Sequence, residues 1–291
     1  MSEIARRAAA AALVALAALP LGAEAQRMRS MTSARQLSGE RALDVEVQYG
    51  AGRLTVAPEA SELMYRMEMR YDEERWRPVT EYGREGGRLR LGLSGVRGHE
   101  EIRSRSEDYA RVSLTPSVPM DLDLEFGAGR ADVELGGLSL RSLELSTGAS
   151  ETRLAFSRPN RVAAKAVRIN AGAASVEVMS LGNARAETFE FEGGLGEATL
   201  DFTGAWTRSA RATIHMGVGS VRLRLPRGLG VRVEKDSFLA SFDAPGMIRR
   251  GNAWFSPDYG RAAHRLDIAI DAAIGSIEID WVDASPATVA R

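Results

Sequence analysis

The chain has 291 residues, with 38 basic and 39 acidic side chains and a formal net charge of -1 at pH 7. This balance does not favour nucleic acid as a partner, because such binding relies on a surplus of Lys and Arg. No cysteine is present, which excludes disulfides and lipid attachment through a cysteine after a signal peptide. Aromatic residues make up only 6%, so we expect a core of aliphatic side chains and alanine.

The first 25 residues have the pattern of a secretory signal peptide. Basic residues such as Arg6 precede an apolar run that starts at Ala8, and small residues follow up to Ala25. The run is broken by Pro20 and falls short of the ~20 residues that span a bilayer, so an anchoring helix is the weaker alternative. We predict cleavage after Ala25, a periplasmic or extracellular location, and no transmembrane anchor in the mature protein.

The stretch FGAGRADVEL, Phe126 to Leu135, could be a phosphate-binding loop or a bend between two strands. A dinucleotide-binding loop needs a third glycine followed by a helix. Here Gly127 and Gly129 are followed by residues that alternate small or apolar with charged, which is typical of a strand. The stretch therefore predicts a bend between strands and no nucleotide cofactor.

This stretch recurs four more times along the chain. The first glycines of successive copies are 21, 24, 22 and 23 residues apart. A nucleotide loop has no reason to recur, whereas each coil of a β-solenoid must bend at the same place and stack on its neighbour. We predict an all-β fold, a parallel β-helix (β-solenoid) of about 22-residue coils. The five first glycines are Gly127, Gly148, Gly172, Gly194 and Gly217.

Equivalent positions in the five copies identify the two faces of the coils. The position six residues after the first glycine is always aliphatic and is predicted to point inward: Val133, Leu154, Val178, Leu200 and Leu223. The position five residues after it is mostly charged and is predicted to form an outer ladder: Asp132, Arg153, Glu177, Thr199 and Arg222. Opposite charges on neighbouring coils would pair along this ladder.

Two partial copies flank the array, one around Gly50 and one around Gly275, and we interpret them as the first and last coils. Between Gly50 and Gly127 the alternation is different, and charged loops interrupt it. We expect strands that cap the N-terminal end there, because an uncapped solenoid exposes strand edges. The predicted parts are a flexible segment at 26–42, a strand-rich cap with the first coil at 43–119, coils and a C-terminal cap at 120–282, and a tail at 283–291.

From Leu43 to Val282 the chain resembles the bacterial toast-rack family of candidate adhesins, which includes the extracytoplasmic part of certain cell-wall-antibiotic response regulators. The resemblance rests on the opening LDVEVQYGAGRLTV, on Arg77-Pro78-Val79, and on the repeated glycine-containing coils. It rests most on the ending, which runs from VEKDSFLASFD to the final Ile-Gly-Ser-Ile. The resemblance implies a right-handed β-solenoid in the cell envelope, with no known catalytic residues.

Residues that could carry out chemistry have structural explanations in this sequence. His99 lies in a charged loop without the second histidine of a zinc-protease helix, and His215 falls on an outward column. We predict no catalytic residue, no metal site and no cofactor. The alternative is a polysaccharide lyase or hydrolase, because carboxylates on adjacent coils can reach the ~5–10 Å separation of a glycosidase pair. Its candidate acids are Asp123, Glu125, Glu144, Glu190 and Glu192.

Aromatic side chains outside the repeats are the candidates for contacting a partner: Trp76, Trp254, Phe255 and Tyr259. In the competing interpretation, Trp254 and Phe255 close the C-terminal end of the solenoid, and Trp206 fills the third side of a coil. The sequence thus favours a non-catalytic, exported β-solenoid module with adhesin-like binding or scaffolding in the cell envelope. Its expected partner is an envelope protein or a glycan.

Overall fold

The protein consists mainly of long strands that bend near the middle. A computed structural model describes residues 27–95 and 108–283. The predicted signal peptide, His99 and all of the predicted tail except Asp283 lie outside the described residues. The strands are β1 (Met28–Gln36), β2 (Leu43–Pro58), β3 (Leu63–Asp72), β4 (Trp76–Gly83), β5 (Arg88–Gly95), β6 (Tyr109–Leu114), β7 (Met120–Glu134), β8 (Leu140–Ala155), β9 (Ala164–Met179), β10 (Ala186–Asp201), β11 (Ala210–Pro226), β12 (Gly230–Asp243), β13 (Ile248–Arg250), β14 (Ala253–Phe255) and β15 (Arg265–Val282).

Eight of these strands stack in parallel and in register, in the order β2-β7-β8-β9-β10-β11-β15-β12. The register aligns the repeats, so that Gly52 lies opposite Gly129, and Gly219 opposite Gly275. One turn of 3-10 helix, Leu181–Ala184, lies in the coil between β9 and β10. The predicted all-β solenoid is confirmed.

In five of the eight stacked strands the bend contains a second glycine with a positive φ: Gly52, Gly129, Gly196, Gly219 and Gly275. Gly219 has a φ of 147°, a conformation that L side chains rarely adopt, and a Cβ there would lie 1.8 Å from the Gly196 carbonyl oxygen of the preceding coil. In β8 and β9 the equivalent residues are Ser150 and Ala174, neither of which has a positive φ. The glycines therefore permit a sharp bend and close stacking, as predicted for a bend between strands.

The inward and outward faces also agree with the prediction. The aliphatic positions six residues after the first glycine are at most 3% exposed, and three of them, Leu154, Val178 and Leu223, are completely buried. Ion pairs link neighbouring coils along the outer ladder, for example Arg153 Nε with Glu177 Oε2 at 3.3 Å and Arg222 with Glu278 at 2.9 Å. Burial of the inner columns holds the stack together, because each aliphatic side chain contributes about 1.5–3 kcal/mol when fully buried.

Strands cover the N-terminal end of the stack, as expected. β5 and β6 pair in parallel with β2, and β3, β4 and β1 add antiparallel strands outside them. The predicted flexible segment at 26–42 differs from the structure, because Met28–Gln36 pairs along its length with β3. This strand, MRSMTSARQ, has little apolar alternation and is held by backbone pairing, so its sequence gave no strand pattern.

The C-terminal end differs from the prediction in its strand order. β15, expected to be the last coil, lies between β11 and β12 and pairs in parallel with both. The last coil is therefore β12, and the short β14 pairs antiparallel with its residues 232–234. Column patterns identify which face of a strand is buried, but they carry no information on which strand lies next to which.

Candidate functional site

An open groove of about 990 Å³ runs along the outer side of the bend, across the coils from β2 to β11. Its floor is formed by the first glycines of the repeats. A Cβ on Gly127 would lie 2.2 Å from the Gly50 carbonyl oxygen, and one on Gly217 would lie 2.5 Å from that of Gly194. From β2 to β11 every stacked strand has glycine at this column, and these residues add no side chains to the groove floor.

One wall of the groove is a column of polar side chains two residues before the first glycine. The strand register places them side by side on successive coils, at the ~4.8 Å spacing of neighbouring strands. We call this column the polar ladder: Gln48, Glu125, Ser146, Asn170, Glu192 and His215. Gln48 Nε2 donates a hydrogen bond of 2.9 Å to Glu125 Oε2, and His215 Nδ1 lies 3.8 Å from Asp271 Oδ2.

The column continues beyond β11 with Asp271 on β15 and Asp236 on β12. A second cavity of about 330 Å³ lies there, lined by these two carboxylates together with His215 and Asn252. The outer side of the bend therefore presents polar groups from the first coil to the last. It is open to solvent along this length, and so it suits an extended ligand better than a small one.

Trp76 lies at the N-terminal end of the groove. The β4–β5 hairpin places it opposite Gly95, and its ring rests against Gly50, where an added Cβ would lie 2.6 Å from Trp76 Cη2. The side chain is half-buried, so part of the indole remains accessible beside the polar ladder.

The other three predicted partner-binding residues come together at the C-terminal end. Phe255 and Tyr259 stack edge to face at 5.1 Å, while Trp254 contacts the ring of Phe242 at 4.8 Å and carries Arg249 over its face. All three are half-buried. Burial raises the pKa of Tyr259, and its hydroxyl group donates to Asp267 Oδ1 at 2.9 Å.

The four aromatic residues therefore do not form one site. Six strands separate β2, on which the hairpin of Trp76 packs, from β12, on which Trp254 packs. Trp254 and Phe255 close the C-terminal end through the pairing of β14 with β12. Trp206 fills the third side of its coil, with its Nε1 donating to the Phe202 carbonyl at 2.8 Å.

Carboxylates concentrate on the outer face of β2, β7 and β8, before the bend. Asp123 lies opposite Glu46 on one side and Glu144 on the other. Burial raises the pKa of Asp123, and the nearby charges of Glu125 and Glu144 raise it further. Over residues 27–95 and 108–283, no group of three or more His, Cys, Asp or Glu side chains is arranged to hold a metal ion.

Sequence reasoning identified the polar ladder as an outward column but missed that it borders a groove. It also missed an exposed apolar column one residue after the first glycine, on the coils near the C-terminal end. Reading that column down the repeats gives Ala128, Ala149 and Ala173, then Leu195 and Val218. This change from alanine to larger side chains could have been detected without a structure.

Two family models match the chain. Residues 23–179 match the model described as the N-terminal domain of toast_rack, and residues 180–279 match the one described as cell wall-active antibiotics response LiaF, C-terminal. The search of curated proteins gives no significant match. In the part of the chain that the structure describes, no helix is both long and apolar enough to cross a membrane.

Solved structures with a similar arrangement include a candidate cell adhesion protein from Clostridium sporogenes, with 16% identity and a TM-score of 0.49 over 88% of this chain and 100% of that one. A candidate adhesin from Bacteroides fragilis has 14% identity and a TM-score of 0.40, over 87% of this chain and 97% of that one. A candidate lipid-binding protein from Parabacteroides distasonis has 10% identity and a TM-score of 0.28, over 87% of this chain and 96% of that one.

Proposed function

Because the chain belongs to the family described as the N-terminal domain of toast_rack, we propose that it is an exported, non-catalytic module of the cell envelope that binds an extended glycan strand in its groove. The groove bordered by the polar ladder is the observation that carries this proposal. The match of residues 180–279 to a model whose description refers to cell wall-active antibiotics supports the location in the envelope.

The chemistry of the groove favours a neutral or amino-sugar polymer over an anionic one. The polar ladder offers amide, hydroxyl and imidazole groups together with the carboxylates of Glu125 and Glu192, and it contains no Lys or Arg. Carboxylates accept hydrogen bonds from sugar hydroxyls and attract amino groups, but they repel acidic sugars. The half-exposed ring of Trp76 at one end gives an apolar surface on which a sugar ring can pack.

The length of the groove also fits a polymer. Its wall crosses five strand intervals, from β2 to β11, or ~24 Å at ~4.8 Å each. Polar groups repeat at every interval, so a linear chain can form the same type of contact many times. Weak individual contacts then add up, which suits an adhesive or scaffolding role.

The test is calorimetric titration of the protein from residue 26 onward with soluble cell-wall glycan fragments, and with an anionic polysaccharide for comparison. We expect saturable binding of the first only. Asn170→Arg, which places a long cation in the groove, should weaken binding at least tenfold. Ser175→Arg, on the same strand but outside the groove, should not. Absence of saturable binding, or equal loss in both variants, would contradict the proposal.

The aromatic candidates can be separated in the same titration. Trp76→Ala should weaken glycan binding, because Trp76 lies beside the groove, whereas Trp254→Ala at the opposite end should leave it unchanged. Thermal unfolding of both variants is the control, since each ring is half-buried. An effect of Trp254→Ala alone would move the site to the C-terminal end.

A polysaccharide lyase or hydrolase remains the alternative, and the raised pKa of Asp123 beside other carboxylates is the observation that favours it. Incubation of the same glycans with the protein, followed by assay for new reducing ends or unsaturated sugars, tests it. Turnover that is abolished by Asp123→Asn or Glu192→Gln without loss of stability would replace the binding proposal with the enzymatic one.

Export is also part of the proposal. The expected mature protein begins at Gln26, and intact-mass measurement of the protein recovered from the periplasm or the medium checks it. Recovery of a membrane-integrated product that retains the first 25 residues would contradict it.

A further inference from the structure

Four large apolar side chains lie exposed in a row at the bend of the last four coils. They occupy the position one residue after the first-glycine column, and the strand register makes them direct neighbours on β10, β11, β15 and β12. We call this row the apolar stripe: Leu195 (57% exposed), Val218 (43%), Ile274 (48%) and Leu239 (63%).

The fold itself does not need these side chains. They point outward at the bend, away from the inner columns that form the core. In the N-terminal coils the same position is occupied by alanine, namely Ala51, Ala128, Ala149 and Ala173. Alanine is therefore sufficient for the chain to bend at this position. The larger residues leave a contiguous apolar surface in water, which is typical of an interaction site.

Acidic residues border the apolar stripe. The column on the groove side consists of Glu192, His215, Asp271 and Asp236, and the column on the far side of Glu197, Ser220, Ser276 and Ser241. These two columns contain four carboxylates and no Lys or Arg. Within the described ranges, Glu192, Glu197 and Asp236 form no ion pair, so their charges are available to a partner.

We propose that the apolar stripe and its acidic borders dock a cationic amphipathic helix of a partner protein. Side chains on one face of a helix are ~5–6 Å apart, close to the ~4.8 Å spacing of the stripe, so a helix laid along the stack can match it residue by residue. The three intervals of the stripe span ~14 Å, or about ten helical residues. Lys or Arg beside the apolar face would then meet the carboxylates.

Charge argues against a second copy as the occupant. Two stripes brought face to face would bring two sets of carboxylates together, and like charges at close range are destabilising. This inference does not depend on glycan binding in the groove, because the four apolar side chains of the stripe lie on the other side of the first glycines from the polar ladder. Glu192 and His215 belong to both the polar ladder and the acidic border.

The probes are three labelled peptides: a Leu/Lys amphipathic helix, a scrambled peptide of the same composition, and a Leu/Glu helix of the same pattern. Fluorescence anisotropy with the protein from residue 26 onward measures binding. We expect saturable binding of the Leu/Lys helix, weaker binding at higher salt because exposed charges are screened, and binding of the other two at least tenfold weaker.

Two double variants and one control variant assign the binding to the stripe. Leu195→Ser with Ile274→Ser should weaken binding of the Leu/Lys helix at least tenfold, whereas Ala149→Ser in the same column of an N-terminal coil should not. Glu197→Gln with Asp236→Asn should reduce the dependence on salt. These residues are exposed, so unchanged thermal unfolding is expected in all variants.

Three outcomes would overturn the inference. Equal binding of the scrambled peptide would show attraction by charge alone, and absence of saturable binding would remove the docking site. Dimerisation of the protein, detected by sedimentation and lost in the Leu195→Ser, Ile274→Ser variant, would identify a second copy as the occupant.

Discussion

At the residue scale, the second glycine of a bend, in the strands that have one, is under two separate constraints. Its φ lies in the region that L side chains rarely adopt, and its missing side chain lets a carbonyl oxygen of the neighbouring coil approach. Both constraints act at Gly219. Gly228, in the turn after β11, has a φ of 88° but nothing within 4 Å of an added Cβ. Substitution of Gly228 therefore measures the effect of φ alone, and substitution of Gly219 measures the effect of φ together with close stacking.

We expect Gly219→Ala to lower the free energy of unfolding by more than ~2 kcal/mol, because it combines an unfavourable φ with a contact of 1.8 Å to a backbone oxygen. Gly228→Ala should cost only ~1 kcal/mol, from its φ alone. Urea unfolding of both variants measures the difference. Equal losses would mean that the coils shift apart at no cost, and that stacking does not select glycine.

Asp123 is a residue whose ionised form is disfavoured in the folded state. Its pKa is raised mainly by burial, and then by the carboxylates around it. Since the folded pKa is above the unfolded one, the folded state binds the proton more tightly. The ionised carboxylate therefore destabilises the fold above its folded pKa, and this effect disappears as the pH falls below the unfolded pKa.

Asp123→Asn should accordingly increase the free energy of unfolding at pH 7, by less than about 1 kcal/mol after solvent screening, and the gain should shrink as the pH is lowered toward 4. Asp121→Asn is the matched control on the same strand. Asp121 pairs with Arg141 and accepts a hydrogen bond of 2.6 Å from Ser142, so its replacement should destabilise. Destabilisation by Asp123→Asn at pH 7 would show that the folded state stabilises the ionised carboxylate, and it would contradict the raised pKa.

At the element scale, buried asparagines link the coils on the side opposite the bend. Asn160 is 1% exposed, and its side chain hydrogen-bonds the backbone of the two coils on either side of its own: it accepts from Leu140 N at 2.8 Å and donates to the carbonyls of Leu140 (2.7 Å) and Ala184 (3.2 Å). Asn183 repeats the pattern one coil later, donating to the Phe156 carbonyl at 2.7 Å. These side chains add to the backbone hydrogen bonds between the loops, such as that from Asn160 N to the Asn183 carbonyl at 2.8 Å.

Asn160→Leu should therefore lower the free energy of unfolding by about 2–4 kcal/mol, because it leaves buried backbone groups on two coils without partners. The exposed Asn252 is the control, and Asn252→Leu should cost less than about 0.5 kcal/mol. Thermal and chemical unfolding give both values. A small loss at Asn160 would mean that water satisfies these groups.

These examples show what could be predicted from the sequence. The columns of Val178 and Glu177 revealed period, fold class and faces, because every coil repeats the same burial pattern. Asn160 gave no signal, since its role depends on loops that vary from coil to coil. The groove was missed because a column identifies an outward side chain but not the concavity beside it. The pairing of β1 was missed because backbone hydrogen bonds leave no pattern in side chains.

At the scale of the whole molecule, the order of the last strands makes the C-terminal half depend on the end of the chain. β15 lies between β11 and β12, and its apolar side chains, such as Ile268 and Ile277, are buried. The coil of β12 therefore has no place on the stack until β15 has paired with β11. In a solenoid, stability comes largely from contacts between neighbouring coils, so the effect should be local to that end.

A chain ending at residue 263 tests this order, with a chain ending at residue 283 as its control. Without β15, the amide hydrogens of β12 should lose protection from exchange, and so should those of β11 that face it, because both strands lose their shared partner. β7, β8 and β9 should remain protected, because their neighbours are intact. If β15 were instead a terminal coil, its removal would leave β12 paired with β11, and the protection of β12 would be unchanged. Hydrogen exchange followed by mass spectrometry distinguishes these results strand by strand.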